Sequence, residues 1–210
     1  MSATHDPSPI SRAAPALLTL DATLPLLGIA AWSGTGKTTL LEALLPRLAE
    51  RGLRVAVIKH AHHTFDVDQP GKDSHRLRQA GAAPMLVASH ARLAMMMETP
   101  GQQEPDLARL VALVATQQPD LVLVEGFKAW PLPKLELHRP ALGKPLRVIE
   151  DPWVRAVAAD APLALPEGVE ALDLNDHEAL ADWIAAWPAR WPRERRPRAA
   201  SPASPGSVSP

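Results

Sequence analysis

An apolar run, Leu24-Pro-Leu-Leu-Gly-Ile-Ala30, leads directly into Ala31-Trp-Ser-Gly-Thr-Gly-Lys-Thr-Thr39. That order constrains the fold more than any other feature of the chain. It reads as a buried strand, a phosphate-binding loop and the start of a helix. Gly34 and Gly36 permit positive φ, so that successive N–H groups can converge on one anion. The helix that follows aims its positive N-terminus at the same point. Leu40, Leu41, Leu44, Leu45 and Leu48 recur at helical spacing and give that helix a core-facing side. Lys37 is placed to reach the β- and γ-phosphates, and Thr38 to offer its hydroxyl to Mg²⁺.

The full pattern G-x-x-x-x-G-K-[ST] has Gly at its first position, where this chain has Ala31. The core Gly36-Lys37-Thr38 alone arises by chance in roughly one chain in ten of this length, and with Gly34 in about one in a hundred. The strand before the loop and the leucine-lined helix after it raise the motif above an ordinary glycine-rich turn.

The remaining composition mostly excludes. A chain of 210 residues can bury a substantial core. A net charge of −1 carries no polyanion footprint, so no nucleic-acid partner is expected. Without cysteine there is no disulfide, thiolate metal site or cysteine nucleophile. No signal peptide or apolar stretch of membrane-spanning length is visible, which makes a soluble cytoplasmic protein with no membrane partner the expectation. Prolines concentrate toward the ends. Residues 1–20 and 188–210 read as disordered tails around one P-loop nucleotide-binding domain over 21–187.

Between those tails strand and helix signals alternate. Strands are expected at Leu26–Ala30, Val55–Ile58 (short and buried), Met85–Ala88, Leu93–Met97 and Leu121–Val124 (buried), and helices at Thr38–Arg51, Ser74–Ala80 and Asp106–Ala115. The alternation in Leu135-Glu-Leu-His138 predicts a half-exposed strand. Arg147–Ile149, Val154–Ala158 and Val169–Leu174 are further strand candidates. Asn175 or Asp176 caps a last helix to Trp187. The expected class is α/β, P-loop NTPase-like: a mostly parallel sheet with helices on both faces and some added antiparallel strands. In such sheets ligands sit at the carboxyl ends of the strands.

Two further clusters fall at those ends. Leu121-Val-Leu-Val-Glu125-Gly126-Phe127 is a buried strand ending in a carboxylate, the Walker B arrangement. Glu125 there can hold Mg²⁺ or orient a water, which makes it the catalytic candidate. The segment Lys59-His60-Ala-His62-His63-Thr-Phe-Asp66-Val-Asp68, with Gly71-Lys72-Asp73-Ser74, gathers three histidines and two aspartates. Asp66 and Asp68 beside a nucleotide's Mg²⁺ suit its chemistry better than a transition-metal site. His62 and His63 receive no role. Lys59, Lys72, Arg76 and Arg78 are candidate contacts to an anion. The Asn-Lys-x-Asp sequence that reads guanine in Ras-type proteins is absent, so these residues do not choose the base.

Taken together, Ala30–Leu40, Ile58-Lys-His-Ala-His-His63, Asp66-Val-Asp68, Gly71-Lys-Asp-Ser74 and Leu123-Val-Glu-Gly-Phe-Lys128 resemble the MobB family, the adapter proteins of molybdopterin-guanine dinucleotide biosynthesis. The similarity runs over about residues 24–187, and Ala31 is usual in that family. The resemblance implies GTP binding with Mg²⁺, slow intrinsic hydrolysis at most and a homodimer. It also implies partnership with the guanylyltransferase MobA, with molybdopterin as a further candidate ligand. It carries nucleotide contact over to Gly34, Thr35, Gly36, Lys37, Thr38 and Thr39. It carries ligand-loop roles over to His60, Asp66, Asp68 and Lys72, and puts Thr38, Asp66 and Glu125 near Mg²⁺. A small-molecule kinase and a nucleotide-gated scaffold without useful turnover are the competing readings. The kinase lacks an evident arginine-bearing lid.

Overall fold

The computed structural model describes residues 23–61, 65–102, 104–194 and 196–198. The described residues fall into two compact units, one within residues 23–59 and 107–198 and one within residues 60–106. The reason is visible in the pairing: the strands of residues 60–106 pair only with each other.

The first unit is built on a six-stranded sheet. Its strands are β1 (Leu26–Ala31), β2 (Val55–Lys59), β5 (Leu121–Glu125), β6 (Lys134–His138), β7 (Val154–Ala159) and β8 (Glu170–Asp173), in the order β2-β5-β1-β6-β7-β8. Every pairing is parallel. The helices are α1 (Lys37–Glu50), α3 (Leu107–Ala115), α4 (His177–Ala185) and α5 (Trp187–Glu194). The step from β1 to β2 runs toward one edge and the return to β5 runs back, so right-handed crossovers put α1 and α3 on opposite faces. β1 is buried along its whole length. Leu40, Leu41, Leu44 and Leu48 of α1 join the same core, as do Trp183 and Ile184 of α4 and Trp187 of α5. The Trp187 indole donates to the Leu26 carbonyl at 2.9 Å. Asp176 caps α4, accepting from the Ala179 N–H at 2.9 Å. Gly28 lies where the 126–133 connection passes over β1. A Cβ there would sit 2.9 Å from both Leu132 and Lys134.

Four expectations need correction. β2 is an edge strand, and only its Ile58 is buried. β6 is not half-exposed: it lies between β1 and β7 and is buried throughout. Its alternation is genuine, but the polar side is covered by residues 139–153 rather than by water. Lys134 there donates to the Trp130 carbonyl at 2.8 Å and pairs with Asp151 at 3.0 Å. The Glu136 carboxylate accepts the N–H groups of Arg147 and Val148, each at 2.8 Å. Arg147–Ile149 is accordingly not a strand but a 3₁₀ turn, its first N–H groups held by that carboxylate. Finally, ordered chain continues past 187. α5 buries Trp187 and Trp191 one turn apart, and Arg155 pairs with Glu194 at 2.7 Å. Pro188 falls in the first turn, where its missing N–H has no helical partner to lose. Residues 1–20 and 199–210 of the expected tails lie outside the described residues.

The second unit contains α2 (Asp73–Gln79) and an antiparallel hairpin of β3 (Met85–Ala88) and β4 (Leu93–Met96). None of its described apolar side chains is fully buried; Leu86, Val87, Leu93 and Met95 of the hairpin are exposed. No helix among the described residues is long and apolar enough to cross a membrane.

Glu136 provides a test of the covered polar row. Glu136→Gln turns an amide NH₂ toward one of the two backbone donors and should destabilise the fold by about 1–3 kcal/mol. Burial raises the Glu136 pKa above its ordinary 4.5. A raised folded-state value adds stability that is complete below pH 4.5 and lost as pH rises through the raised value. The stability gap between wild type and variant should therefore be widest in acid and narrow toward neutrality, as read by denaturant titration across pH.

Candidate functional site

The site grows from the carboxyl end of β1. Gly34 and Gly36 take φ of 82° and 94°, as the loop requires. Thr35 is buried between them and closes the loop on itself: its N–H and hydroxyl reach the Trp32 carbonyl at 3.3 and 2.8 Å. The Leu40 N–H donates to the Gly36 carbonyl at 2.9 Å, so α1 begins at the loop itself. No side chain caps that helix, which leaves its first N–H groups facing the concavity. Thr38 and Thr39, on the first turn, are exposed.

The register of the sheet brings the charges together. Glu125 ends β5 opposite Ile29 of β1 on one side and Lys59 of β2 on the other. Its carboxylate lies 3.8 Å from the Lys37 ammonium and 3.4 Å from that of Lys59. Only 12% of the Glu125 side chain is exposed. The sequence candidates Gly34, Thr35, Gly36, Lys37, Thr38 and Thr39 thus follow one another from the end of β1 into α1, with Glu125 paired to Lys37 and to Lys59 beside them. Hydroxyl and carboxylate oxygens are the donors that suit Mg²⁺.

The candidates of residues 60–106 belong to the second unit. Asp66 Oδ1 accepts the Asp68 N–H at 2.9 Å and Oδ2 accepts from Arg78 at 2.7 Å. Those contacts, the Asp68 N–H first, hold the Asp66 carboxyl below the usual carboxylate range. Asp68 accepts from the Ser74 hydroxyl at 2.7 Å. His60 lies 3.6 Å from Glu104, and Lys72 is the N-cap of α2. No group of three metal-ligating side chains occurs among the described residues. His62 and His63 lie outside them.

Two functional candidates escaped the sequence. Arg139, just past β6, donates to the Thr35 carbonyl at 3.0 Å and to Asp160, just past β7, at 2.6 Å. It thereby ties the phosphate loop to the next strand ends. Their position at the carboxyl ends of parallel strands is the signal that would have found them. Beside Asp160 a pocket of about 340 Å³ opens between the ends of β7 and β8, with Leu163, Leu165, Leu172 and Asp173 on its walls.

The chain matches the family model described as Molybdopterin guanine dinucleotide synthesis protein B over residues 26–160. It is 52% identical over 165 residues to the molybdopterin-guanine dinucleotide biosynthesis adapter protein of Escherichia coli, covering 78% of this chain and 93% of that one. The adapter protein of the same name from Haemophilus influenzae is 47% identical, with 78% and 89% covered. A crystal structure of molybdopterin-guanine biosynthesis protein B superposes with a TM-score of 0.60 at 29% identity, covering 78% of this chain and 99% of that one. A phosphate loop with its strand-end carboxylate, on a parallel sheet matched over most of its length by these relatives, identifies the chain as a member of the MobB family.

Proposed function

We propose that this protein is a GTP-binding adapter of molybdenum cofactor biosynthesis, acting in the cytoplasm with the guanylyltransferase MobA in forming molybdopterin guanine dinucleotide. The observation that carries the nucleotide reading is the pairing of Lys37 with Glu125 at the mouth of the phosphate loop. A lysine held by a carboxylate is kept in place for the phosphates that displace it. Its likeness to named adapter proteins supports the pathway.

The loop N–H groups and Lys37 would bind the β- and γ-phosphates, and Thr38 and Glu125 would hold Mg²⁺, which would neutralise phosphate charge. The pocket beyond Arg139 favours guanine. Asp160 and Asp173 offer acceptors, which match the imino and amino N–H groups of guanine, whereas adenine presents a ring acceptor on that edge. Glu125 is the group that can orient water. Arg139 is engaged with Thr35 and Asp160 rather than free to shield a developing γ-phosphate charge, and a free arginine there is worth ~10³–10⁵ in rate. Turnover by the isolated protein is therefore slow, below about 1 s⁻¹.

Two outcomes test this. Lys37→Ala should weaken GTP binding by ~1.5–3 kcal/mol in calorimetry, since a charge-assisted phosphate contact is lost. Wild-type protein titrated with MobA should form a complex whose affinity differs between the GTP, GDP and nucleotide-free states. Equal GTP affinity in variant and wild type removes the nucleotide reading, and absence of any complex removes the adapter reading.

The same proposal includes a homodimer through the second unit. The hairpin there exposes Leu86 and Leu93, and a two-stranded hairpin with no buried side is marginal alone. Leu93→Asp should raise the dimer dissociation constant at least tenfold, since burying one leucine is worth about 1.5–3 kcal/mol. Sedimentation equilibrium reads the change, and a monomeric wild type contradicts it.

A further inference from the structure

Two lysines approach one carboxylate, each on its own oxygen. Lys37 Nζ lies 3.8 Å from Glu125 Oε1, and Lys59 Nζ lies 3.4 Å from Oε2. Both separations exceed a hydrogen bond, so charge rather than a directed donor holds the pairs. Their settings differ. The Glu125 and Lys37 side chains are 12% and 18% exposed, whereas that of Lys59 is 57% exposed. Charges withdrawn from water attract one another more strongly than exposed ones. Lys37 is thus the sheltered partner of Glu125, and it is also the lysine of the phosphate loop.

That arrangement sets two anions in competition for one ammonium. Whatever attraction Lys37 has for Glu125 must be overcome before it turns to phosphate. A carboxylate left uncompensated beside the loop would also repel a polyphosphate of like charge. Lys59 bears on both effects. It ends the edge strand β2, outside the phosphate loop, and stands directly opposite Glu125 in the ladder with β5. Matched positions of adjacent parallel strands point to one face of the sheet, so backbone pairing keeps Lys59 within reach of Glu125. Among the described residues Glu125 pairs with no third cation, and Lys59 with no other carboxylate.

We propose that Lys59 is a positioning residue of the phosphate site. It offsets the charge of Glu125 and thereby releases Lys37 to phosphate, without touching phosphate itself. This replaces the direct anion contact that sequence alone suggests for Lys59, and it rests on the proposed nucleotide binding. Because Lys59 is half in solvent, its effect is modest, about threefold in affinity at low ionic strength.

The test is a double-mutant cycle on the full chain, read by GTP calorimetry in low salt. A chelator is present, so that no metal bridges Glu125 and phosphate. Lys59→Met should weaken binding about threefold, and Lys59→Arg should restore it. Glu125→Gln, which removes the competing charge, should bind at least as tightly as wild type. In that background Lys59→Met should change affinity by less than about 1.5-fold. A loss of equal size in both backgrounds means that Lys59 meets phosphate directly, and it overturns the proposal. So do unchanged affinity in Lys59→Met, failure of arginine to restore binding, or a Glu125→Gln variant weaker than wild type. The cycle is repeated with inorganic tripolyphosphate, which has no base. Wild-type protein that binds neither ligand removes the nucleotide reading and this proposal with it. Binding with an additive cycle removes this proposal alone.

Discussion

A strand in the middle of a parallel sheet has both backbone edges paired and both faces covered, and everything in the first unit depends on β1 being such a strand. β5 and β6 flank it, all six of its residues are buried, and even the carbonyl of Leu26 takes a further hydrogen bond from Trp187. A backbone so fully engaged cannot shift along its neighbours without exposing or stranding polar groups. The loop that leaves its carboxyl end is therefore presented from a fixed point. Register then places Glu125 beside Lys59, and the helix that starts from this loop brings Lys37 to the same carboxylate.

The loop is fixed a second time from its other side. Arg139 holds the Thr35 carbonyl and is itself held by Asp160. These groups come from the ends of three different strands, β1, β6 and β7. The position of this loop is thus set by the sheet as well as by the loop sequence.

How much of this was legible follows from the range of the interactions concerned. The phosphate loop, Glu125 and most element positions are written in local spacing, and local spacing sufficed for them. The placement of Lys134, Glu136 and His138 was not so written. Their alternation with Leu135 and Leu137 marks two faces, but nothing local says that residues 139–153 return to cover the polar one. Trp191 was lost for a different reason: proline and arginine around it resemble a tail, and only the contacts of Trp187 and Arg155 reveal a packed helix. Arg139 and Asp160 carry no motif at all. Their meaning comes from adjacency between strands that the chain order separates.

The charged row on β6 bears on the order in which the molecule can assemble. Glu136 is fully buried, and its two donors come from Arg147 and Val148, eleven and twelve residues later. Dehydrating that carboxylate before those donors arrive is unfavourable. β6 therefore cannot settle beside β1 in advance of the segment that follows it. Strand, crossover and β7 are obliged to dock as one cooperative block, and the anchor that Arg139 provides for the phosphate loop is completed only with that late step. The brace that Arg139 gives the loop after β1 is thus incomplete until Asp160 is in place.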